Sequence, residues 1–142
     1  MKIVLQRVLE ASVNIHAREV SKTRLGCLLL VGISATDTQK EIDYLVDKVL
    51  NLRIFENLEG KFDRSISDIR GDIMVVSQFT LFADTSKGRR PSFLDAAPSD
   101  IAEPIFNKFV ESLRLAYPEG YIQTGEFGKD MKVSLINDTG SV

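Results

Sequence analysis

The stretch DIMVVSQFTLFADTSKGRRPSF, residues 72–93, holds the clearest strand signal in the chain and an abrupt change after it. Its first part, residues 72–82, is rich in β-branched and aromatic residues, which predicts a buried strand. Three polar side chains interrupt this apolar run: Ser77, Gln78 and Thr80. Side chains alternate between the two faces of a strand, so the pattern predicts Ser77 and Phe79 on one face and Gln78 and Thr80 on the other.

Further segments on either side of this stretch also predict strands. Residues 2–8 and 12–16 mix β-branched and polar residues, as half-buried strands do. Residues 25–33 form a continuous apolar run, which is typical of a central strand. The glycine-containing turn at residues 57–62 predicts a hairpin or a short excursion, and residues 131–137 predict the last strand.

Two segments have helical periodicity instead. Within residues 36–55, Thr38 and Glu41 are spaced for a capping box at the start of a helix. Within residues 99–120, Pro104 should lie in the first turn, because deeper in a helix it removes a hydrogen bond and clashes with the preceding turn. The second helix is therefore expected to start near residues 101–103.

These elements predict a single α+β domain over residues 1–142, with a mainly antiparallel, barrel-like sheet and two main helices. Only two connections are long enough to join parallel strands. The net charge of −2 excludes a protein that coats nucleic acid by bulk charge, but it allows a local basic patch. Having one cysteine excludes an internal disulfide, and one histidine makes an ordinary zinc site unexpected. Without a recognisable signal peptide or membrane span, we expect a cytoplasmic, metal-free protein.

The three polar residues within the strand predicted at residues 72–82 have two interpretations. They could satisfy backbone groups at a sheet edge, or they could form a polar pocket for a carbonyl group together with nearby N–H groups. A buried polar group without a partner costs about 1–3 kcal/mol, so several together need partners, and a ligand can be one. The next loop also has two interpretations: it is a solvated surface or a phosphate-binding element. Phosphate binding is possible because Gly88 permits close backbone approach and three cations lie beside it: Lys87, Arg89 and Arg90.

Few residues are suited to acid–base or cofactor chemistry. His16, the only histidine, ends an alternating segment beside a turn and is expected to be solvated, and Cys27 is expected to be a small buried core residue. No Gly-x-Gly-x-x-Gly or Walker sequence occurs, so no cofactor is indicated.

Taken together, these motifs resemble the D-aminoacyl-tRNA deacylase family. The segments that carry the resemblance follow the family's order and spacing over essentially the whole chain: QRV at 6–8, NLRIFE at 51–56, SQFTL at 77–81, KGRRPSF at 87–93 and GEFGKDM at 125–131. The resemblance implies a homodimer that acts on the 3′-terminal adenosine end of aminoacylated tRNA, with a site shared across subunits. It would hydrolyse the ester of a D-amino acid and also clear glycine from mischarged tRNA.

The resemblance also implies residue roles. Around the ester it places four residues: Ser77, Gln78, Phe79 and Thr80. Three others would face the adenosine or the aminoacyl group: Ala96, Phe127 and Met131. Arg7 would brace the loop that selects chirality, and the cations at Lys87, Arg89 and Arg90 would meet the backbone of the acceptor stem.

One segment departs from the family. Its chiral selector is a Gly-Pro dipeptide with a cis bond, supplied by the partner subunit after an Asn-Asp-like pair. Here Asn137 and Asp138 are followed by Thr139, Gly140 and Ser141, with no proline in any alignment. A cis bond before a non-proline residue costs about 2.5–4 kcal/mol. We therefore expect this chain to discriminate D from L substrates less sharply than one that carries Gly-Pro.

Two mechanisms stay open, and so does a second class of function. Thr80 could attack the ester, but no histidine is placed to activate it. Alternatively, the Phe79 and neighbouring N–H groups could stabilise an oxyanion while the terminal ribose 2′-hydroxyl positions or activates water. The scarcity of general bases favours the second mechanism. A non-catalytic dimer that binds RNA 3′ ends could use the same pocket and loop.

Overall fold

The computed structural model describes residues 1–140. Eight strands and three helices follow one another in the order β1 (Lys2–Ile15), β2 (Arg18–Thr23), β3 (Gly26–Gly32), α1 (Gln39–Asn51), β4 (Phe55–Glu56), β5 (Phe62–Arg64), α2 (Ile66–Ile69), β6 (Asp72–Ser77), α3 (Ser99–Ala116), β7 (Ile122–Thr124) and β8 (Lys132–Asn137), with a 3-10 turn at Phe79–Phe82 after β6. The chain is thus an α+β domain with two main helices, α1 and α3.

The main sheet has the strand order β2-β1-β3-β6-β7, with β8 also paired to β1. Strand β1 pairs antiparallel with β2, β3 and β8, whereas β3–β6 and β6–β7 are parallel. Strand β2 approaches β6 and β7, so the sheet nearly closes on itself. The predicted fold class is confirmed, and the two parallel pairs correspond to the two long connections.

The prediction of separate strands at residues 2–8 and 12–16 was wrong, because β1 is one strand of 14 residues. Its register against β8 shifts between Val8 and Glu10. This bulge changes the alternation, so that Val8 and Ala11 are both buried while the two residues between them are exposed. In the sequence, the interrupted alternation at this bulge looks the same as a loop between two separate strands.

The prediction that the strand continues to Phe82 was also wrong, since β6 ends at Ser77. The Gln78 N–H donates to the Val31 carbonyl at 2.8 Å, and β3 ends at Gly32. With no neighbouring strand left to pair, the chain turns into the 3-10 element. The expected alternation of side chains across residues 77–80 therefore does not apply.

The helix starts are set by their caps. Thr38 and Glu41 form the predicted capping box of α1. Helix α3 starts at Ser99, earlier than expected, and the Pro98 carbonyl accepts from the Ala102 N–H at 2.8 Å. Pro104 therefore lies beyond the first turn. The exposed position of Asp100 allows water to replace the hydrogen bond that proline cannot donate.

Two apolar cores lie on opposite faces of the sheet. Leu29, Ile73 and neighbouring residues pack under α1 and α3. Leu28, Met74 and their neighbours fill the inside of the barrel. Because alternate residues of β3 and β6 enter different cores, these strands are apolar on both faces, which explains their continuous apolar sequences.

Candidate active site

A cavity of about 630 Å³ opens where β3 and β6 end. Six of the predicted site residues line it: Ser77, Gln78, Phe79, Ala96, Phe127 and Met131. The fold thus brings together residues that are distant in sequence. The catalytic and binding roles of these residues stay predictions.

The polar side chains after β6 partly satisfy one another. The Gln78 Nε2 donates to Thr80 Oγ1 at 2.5 Å. Thr80 itself is exposed and does not line the cavity, whereas Ser77 and Gln78 do. The hydroxyl of Thr80 therefore lies at the edge of the site and holds the Gln78 amide.

Main-chain amides are the other polar groups at this edge. Phe79 and Thr80 begin the 3-10 turn, and the first amides of a helical turn have no acceptor within it. Within residues 1–140 no other acceptor is found for either N–H. Two adjacent N–H groups without an acceptor in this range therefore follow β6, and Phe79, which carries the first of them, lines the cavity. Main-chain donors of this kind are the groups that form oxyanion holes.

Aromatic rings form part of the wall around these donors. The Phe79 ring meets the Phe93 ring edge to face, with centroids 5.2 Å apart. Phe127 lies on another side, tilted against Phe106 at 5.8 Å. Phe79 is still 58% exposed, so its ring offers a free apolar surface at the cavity. The site is suited to a ligand that carries both an apolar ring and a carbonyl group.

Another part of the wall comes from the segment between β7 and β8, of which residues 127–131 line the cavity. Met131 lies over Gly125, where a Cβ would approach the Met131 Sδ to 2.3 Å. A larger residue at Gly125 would therefore displace Met131 from the cavity. This requirement gives a physical reason for a glycine in the GEFGKDM segment.

The basic loop lies outside the cavity. Asp84 and Ser92 pair through two backbone hydrogen bonds of 2.8 and 2.9 Å, which close the base of the loop. Gly88 at the tip has a φ of 67°, where glycine is strongly favoured. The three cations Lys87, Arg89 and Arg90 are exposed, as a phosphate-binding loop or a solvated surface would require.

Arg7 holds the C-terminal loop, far from this cavity. Its Nη2 donates to Asp138 Oδ2 at 2.7 Å, and its Nη1 donates to the Ile54 carbonyl at 3.0 Å. The guanidinium also lies over the rings of Phe55 and Phe62, at 5.5 and 5.4 Å from their centroids. The contact agrees with the predicted bracing role of Arg7, although that role itself is untested.

The loop that Arg7 holds contains the other selector residues. The Asp138 N–H donates to the Arg7 carbonyl at 2.9 Å, and the Gly140 N–H donates to Asp138 Oδ1 at 3.1 Å. The hydrogen bond from Arg7 lowers the pKa of Asp138. Asn137 and Thr139 are exposed. Ser141 lies outside the described residues.

Titratable groups contribute little to the cavity itself. Burial raises the pKa of the Cys27 thiol to about 12, so Cys27 is protonated at neutral pH and is a core residue, as predicted. His16 is exposed in the turn between β1 and β2. Within residues 1–140, no group of three acidic, histidine or cysteine side chains could hold a metal ion. No helix in this range is long and apolar enough to cross a membrane.

Sequence reasoning missed several parts of the site. Phe93, Pro98, Lys129 and Asp130 line the cavity but were not proposed. Glu56 also contributes to the Arg7 cluster, with its Oε1 3.7 Å from the guanidinium. Phe93, Lys129 and Asp130 belong to the recognisable motifs, so motif membership was an available signal. The contribution of Pro98, which precedes α3, becomes visible only in the folded chain.

The fold and the cavity together define a small α+β domain with a cavity at the carboxyl ends of β3 and β6, lined by both apolar and polar residues. A family model described as D-Tyr-tRNA(Tyr) deacylase matches residues 4–141. The D-aminoacyl-tRNA deacylase of Chlorobaculum parvum (strain DSM 263 / NCIMB 8327) is 50% identical over 140 residues, which are 97% of this chain and 92% of that protein. That of Thermosipho melanesiensis (strain DSM 12029 / CIP 104789 / BI429) is 46% identical over 138 residues, with coverage of 97% and 91%.

A solved structure titled c-Myc DNA Unwinding Element Binding Protein superposes with a TM-score of 0.92 at 44% identity. The alignment covers 97% of this chain and 93% of that one. The chain therefore belongs to the D-aminoacyl-tRNA deacylase family and is a hydrolase of that family. The predicted family and enzyme class are confirmed.

Proposed function

We propose that the cavity at the end of β6 holds the ester of D-aminoacyl-tRNA and that the Phe79 and Thr80 amides stabilise the oxyanion formed during hydrolysis. The observation that carries this proposal is the adjacent pair of main-chain N–H groups at Phe79 and Thr80, which have no acceptor within residues 1–140 and of which the first belongs to a cavity-lining residue. One such donor contributes roughly 3–4 kcal/mol to transition-state stabilisation. Ser77 and Gln78 lie in the same wall and assist in orienting the ester.

Water is the attacking nucleophile in this proposal. The cavity lining includes Lys129 and Asp130 but no histidine or cysteine. Asp130 is paired with Lys132 at 2.6 Å, and the hydrogen bond from Lys132 lowers the pKa of its carboxyl group. A carboxylate held in its ionised form in this way is a weak general base at neutral pH. The 2′-hydroxyl of the terminal ribose, carried by the substrate, therefore positions or activates the water.

The other predicted site residues contact two different parts of the substrate, its aminoacyl-adenosine end and its acceptor stem. Ala96, Phe127 and Met131 face the adenosine or the aminoacyl group, and the exposed Phe79 ring borders the same space. The cations at Lys87, Arg89 and Arg90 bind phosphates of the acceptor stem, because arginine forks match phosphate oxygens. The editing step belongs to the cytoplasm, where charged tRNA is used.

The C-terminal loop acts on a partner's cavity rather than on its own. In the sheet register, Arg7 pairs with Cys27, while Ser77 pairs with Val31 and so lies level with Ile3. Ile3 and Arg7 are four residues apart on β1, which corresponds to about 13 Å along the strand. Because residues 138–140 stay beside Arg7 and Glu56, a second copy of the chain has to supply residues 137–141 to the cavity.

Exposed apolar residues support a homodimer. On β1 and β8, Val4, Leu9, Leu135 and Ile136 are between 39% and 49% exposed. Val4 and Leu135 share a face with the barrel core, so this apolar surface continues from the interior to solvent. Such a surface is suited to a second copy of the chain.

The test compares hydrolysis of D-aminoacyl-tRNA, its L counterpart and glycyl-tRNA, with the oligomeric state followed by sedimentation. We expect a dimer that hydrolyses the D ester and glycyl-tRNA. A variant with Gly-Pro in place of Thr139 and Gly140 should discriminate D from L substrates more sharply than the wild-type protein, because a proline restricts the backbone of the selector. Specific binding of tRNA 3′ ends without any hydrolysis would instead support the non-catalytic alternative. An equal D/L ratio in the two proteins would contradict the selector role, and a monomer that edits normally would contradict the shared site.

A further inference from the structure

A second cavity lies beside the candidate active site. It has a volume of about 330 Å³ and is lined by Ile15, His16, Arg18, Glu126 and Lys129. Lys129 lines both cavities and therefore lies between them, at what we call the Lys129 ridge. We call this smaller space the His16 cavity. A ligand that leaves the candidate site over Lys129 enters the His16 cavity next.

The charges around the His16 cavity favour an anion. Neither Arg18 nor Lys129 has an ion pair within residues 1–140, so both cations are available. The nearby carboxylate of Asp130 is neutralised by Lys132. Two free cations therefore outweigh the one remaining carboxylate, Glu126.

The position of this cationic surface fits a particular part of the proposed substrate. A tRNA whose terminal adenosine occupies the larger cavity must lead its preceding phosphates out across the rim. Single-stranded RNA is bound through such cationic grooves that follow the backbone. We propose that the phosphates just before the terminal adenosine cross the Lys129 ridge and lie against Arg18 and His16. This inference rests on the proposed function and adds a contact distinct from the 87–90 loop.

Two substitutions with opposite expected effects test this path. Arg18→Ala should weaken the binding of uncharged tRNA about threefold or more, and it should reduce the slope of log K against log salt by about 0.7, as expected for the loss of one single-strand phosphate contact. Glu126→Gln should strengthen binding about twofold, because it removes the carboxylate that opposes the phosphates. A gain in affinity cannot be produced by a protein that fails to fold.

The chain offers matched controls on the opposite end of the sheet. Arg24 lines a separate cavity with Asp72 and Tyr121, at the start of β6. Arg24→Ala and Glu119→Gln change the net charge of the chain by the same amounts at exposed positions. We expect both control variants to change tRNA affinity by less than half as much as their counterparts in the His16 cavity.

Three results would overturn the inference. One is equal behaviour of the Arg18 and Arg24 variants, and another is unchanged binding in the Glu126 variant. The third result concerns tRNA without its terminal CCA nucleotides. The Arg18→Ala substitution should not change the affinity for this shortened tRNA. A persistent effect would place Arg18 on the duplex instead. Since all these measurements use uncharged tRNA, they stand even if the wild-type protein shows no hydrolysis, which would contradict only the proposed function.

Discussion

The two ends of the strand pair β3–β6 use polar groups in different ways. At the Ser77 end, the sheet stops beside a cavity, and the Phe79 and Thr80 N–H groups have no acceptor in the described chain. At the other end, Arg7 is surrounded by Asp138, Ile54, Glu56 and two aromatic rings. The Arg7 Nε is the exception there, since it is buried and has no hydrogen-bond partner among residues 1–140.

This difference separates positions that bind from positions that stabilise. Polar groups that already have protein partners contribute to folding, and a ligand would have to displace those partners. Groups left open at a cavity contribute little to folding and are available for a substrate. We therefore expect substitutions at the Arg7 end to affect stability first, and substitutions at the Ser77 end to affect activity first.

The largest effect is expected at Arg7. Arg7→Ala should lower the free energy of unfolding by about 3 kcal/mol, because the side chain is only 12% exposed and its loss removes the donor to Asp138 Oδ2 and the donor to the Ile54 carbonyl. Urea unfolding measures this change. Arg53→Ala is the matched control, since Arg53 pairs with Asp63 on the surface, and it should cost less than about 1 kcal/mol. Equal losses in the two variants would contradict the comparison.

The same cluster predicts a dependence on pH. Because Arg7 lowers the pKa of Asp138 in the folded state, the stabilisation is present above the unfolded pKa of Asp, about 3.9. It is lost as the pH falls through the lower, folded pKa. Wild-type protein should therefore lose part of its advantage over the Arg7→Ala variant in acid. A constant difference between the two proteins from neutral pH to pH 2 would rule out this contribution.

The cavity end should show the reverse behaviour. Ala96→Leu places a larger side chain in the cavity wall and should lower kcat/KM for D-aminoacyl-tRNA at least tenfold, which is about 1.4 kcal/mol. Its free energy of unfolding should change by less than about 0.5 kcal/mol, because the added atoms enter open space. Ala83→Leu, at an exposed position after the 3-10 turn, is the control and should keep normal kcat/KM. Normal activity in the Ala96 variant would mean that substrate binds elsewhere.

A smaller effect is expected at the basic loop, which belongs to neither end. Replacing Lys87, Arg89 and Arg90 with alanine should weaken tRNA binding and reduce the salt slope by up to about 2.7, if each cation meets one phosphate of the duplex acceptor stem. The melting temperature should stay constant, since all three side chains are exposed. The control removes three exposed cations elsewhere on the chain: Lys40, Lys61 and Lys108. An equal slope in the two triple variants would show that the loop is only a solvated surface.

The smallest effect is expected at Thr80. Thr80→Ala should keep kcat/KM within about threefold of wild type, since the change retains the main-chain N–H and removes only a hydroxyl outside the cavity. Thr80→Ser, which preserves the hydrogen bond from Gln78, is the comparison. Mass spectrometry after rapid mixing with substrate provides a direct check. An acyl group trapped on Thr80 would establish covalent catalysis instead.

The sequence predicted much of the fold, because apolar periodicity and capping patterns are local. It could not predict that β6 ends at Ser77, since this depends on where β3 ends and on the short pairing with β7. It also could not separate a bulge from a loop at Leu9 and Glu10, because both interrupt alternation in the same way.

The candidate site was accessible from sequence in a different way. The polar residues at 77–80 stood out against an apolar strand, and their conflict with burial is a physical signal. Ala96, Phe127 and Met131 carry no such signal, and only the family resemblance suggested them. Their meeting in one cavity requires the parallel strands and the 125–131 segment to be in place, which no local pattern encodes.

The pairing of β1 with β8 has a consequence for how the chain is made. These strands pair from Val8 and Asn137 to Asn14 and Lys132, so one edge of β1 stays incomplete until β8 has left the ribosome. Contacts this far apart in sequence form late, because a long loop must close first. We therefore expect a nascent chain to carry an open β1 edge that chaperones recognise. Pulsed hydrogen exchange during refolding should protect the β1–β3 amides before those of β8, and simultaneous protection would contradict this order.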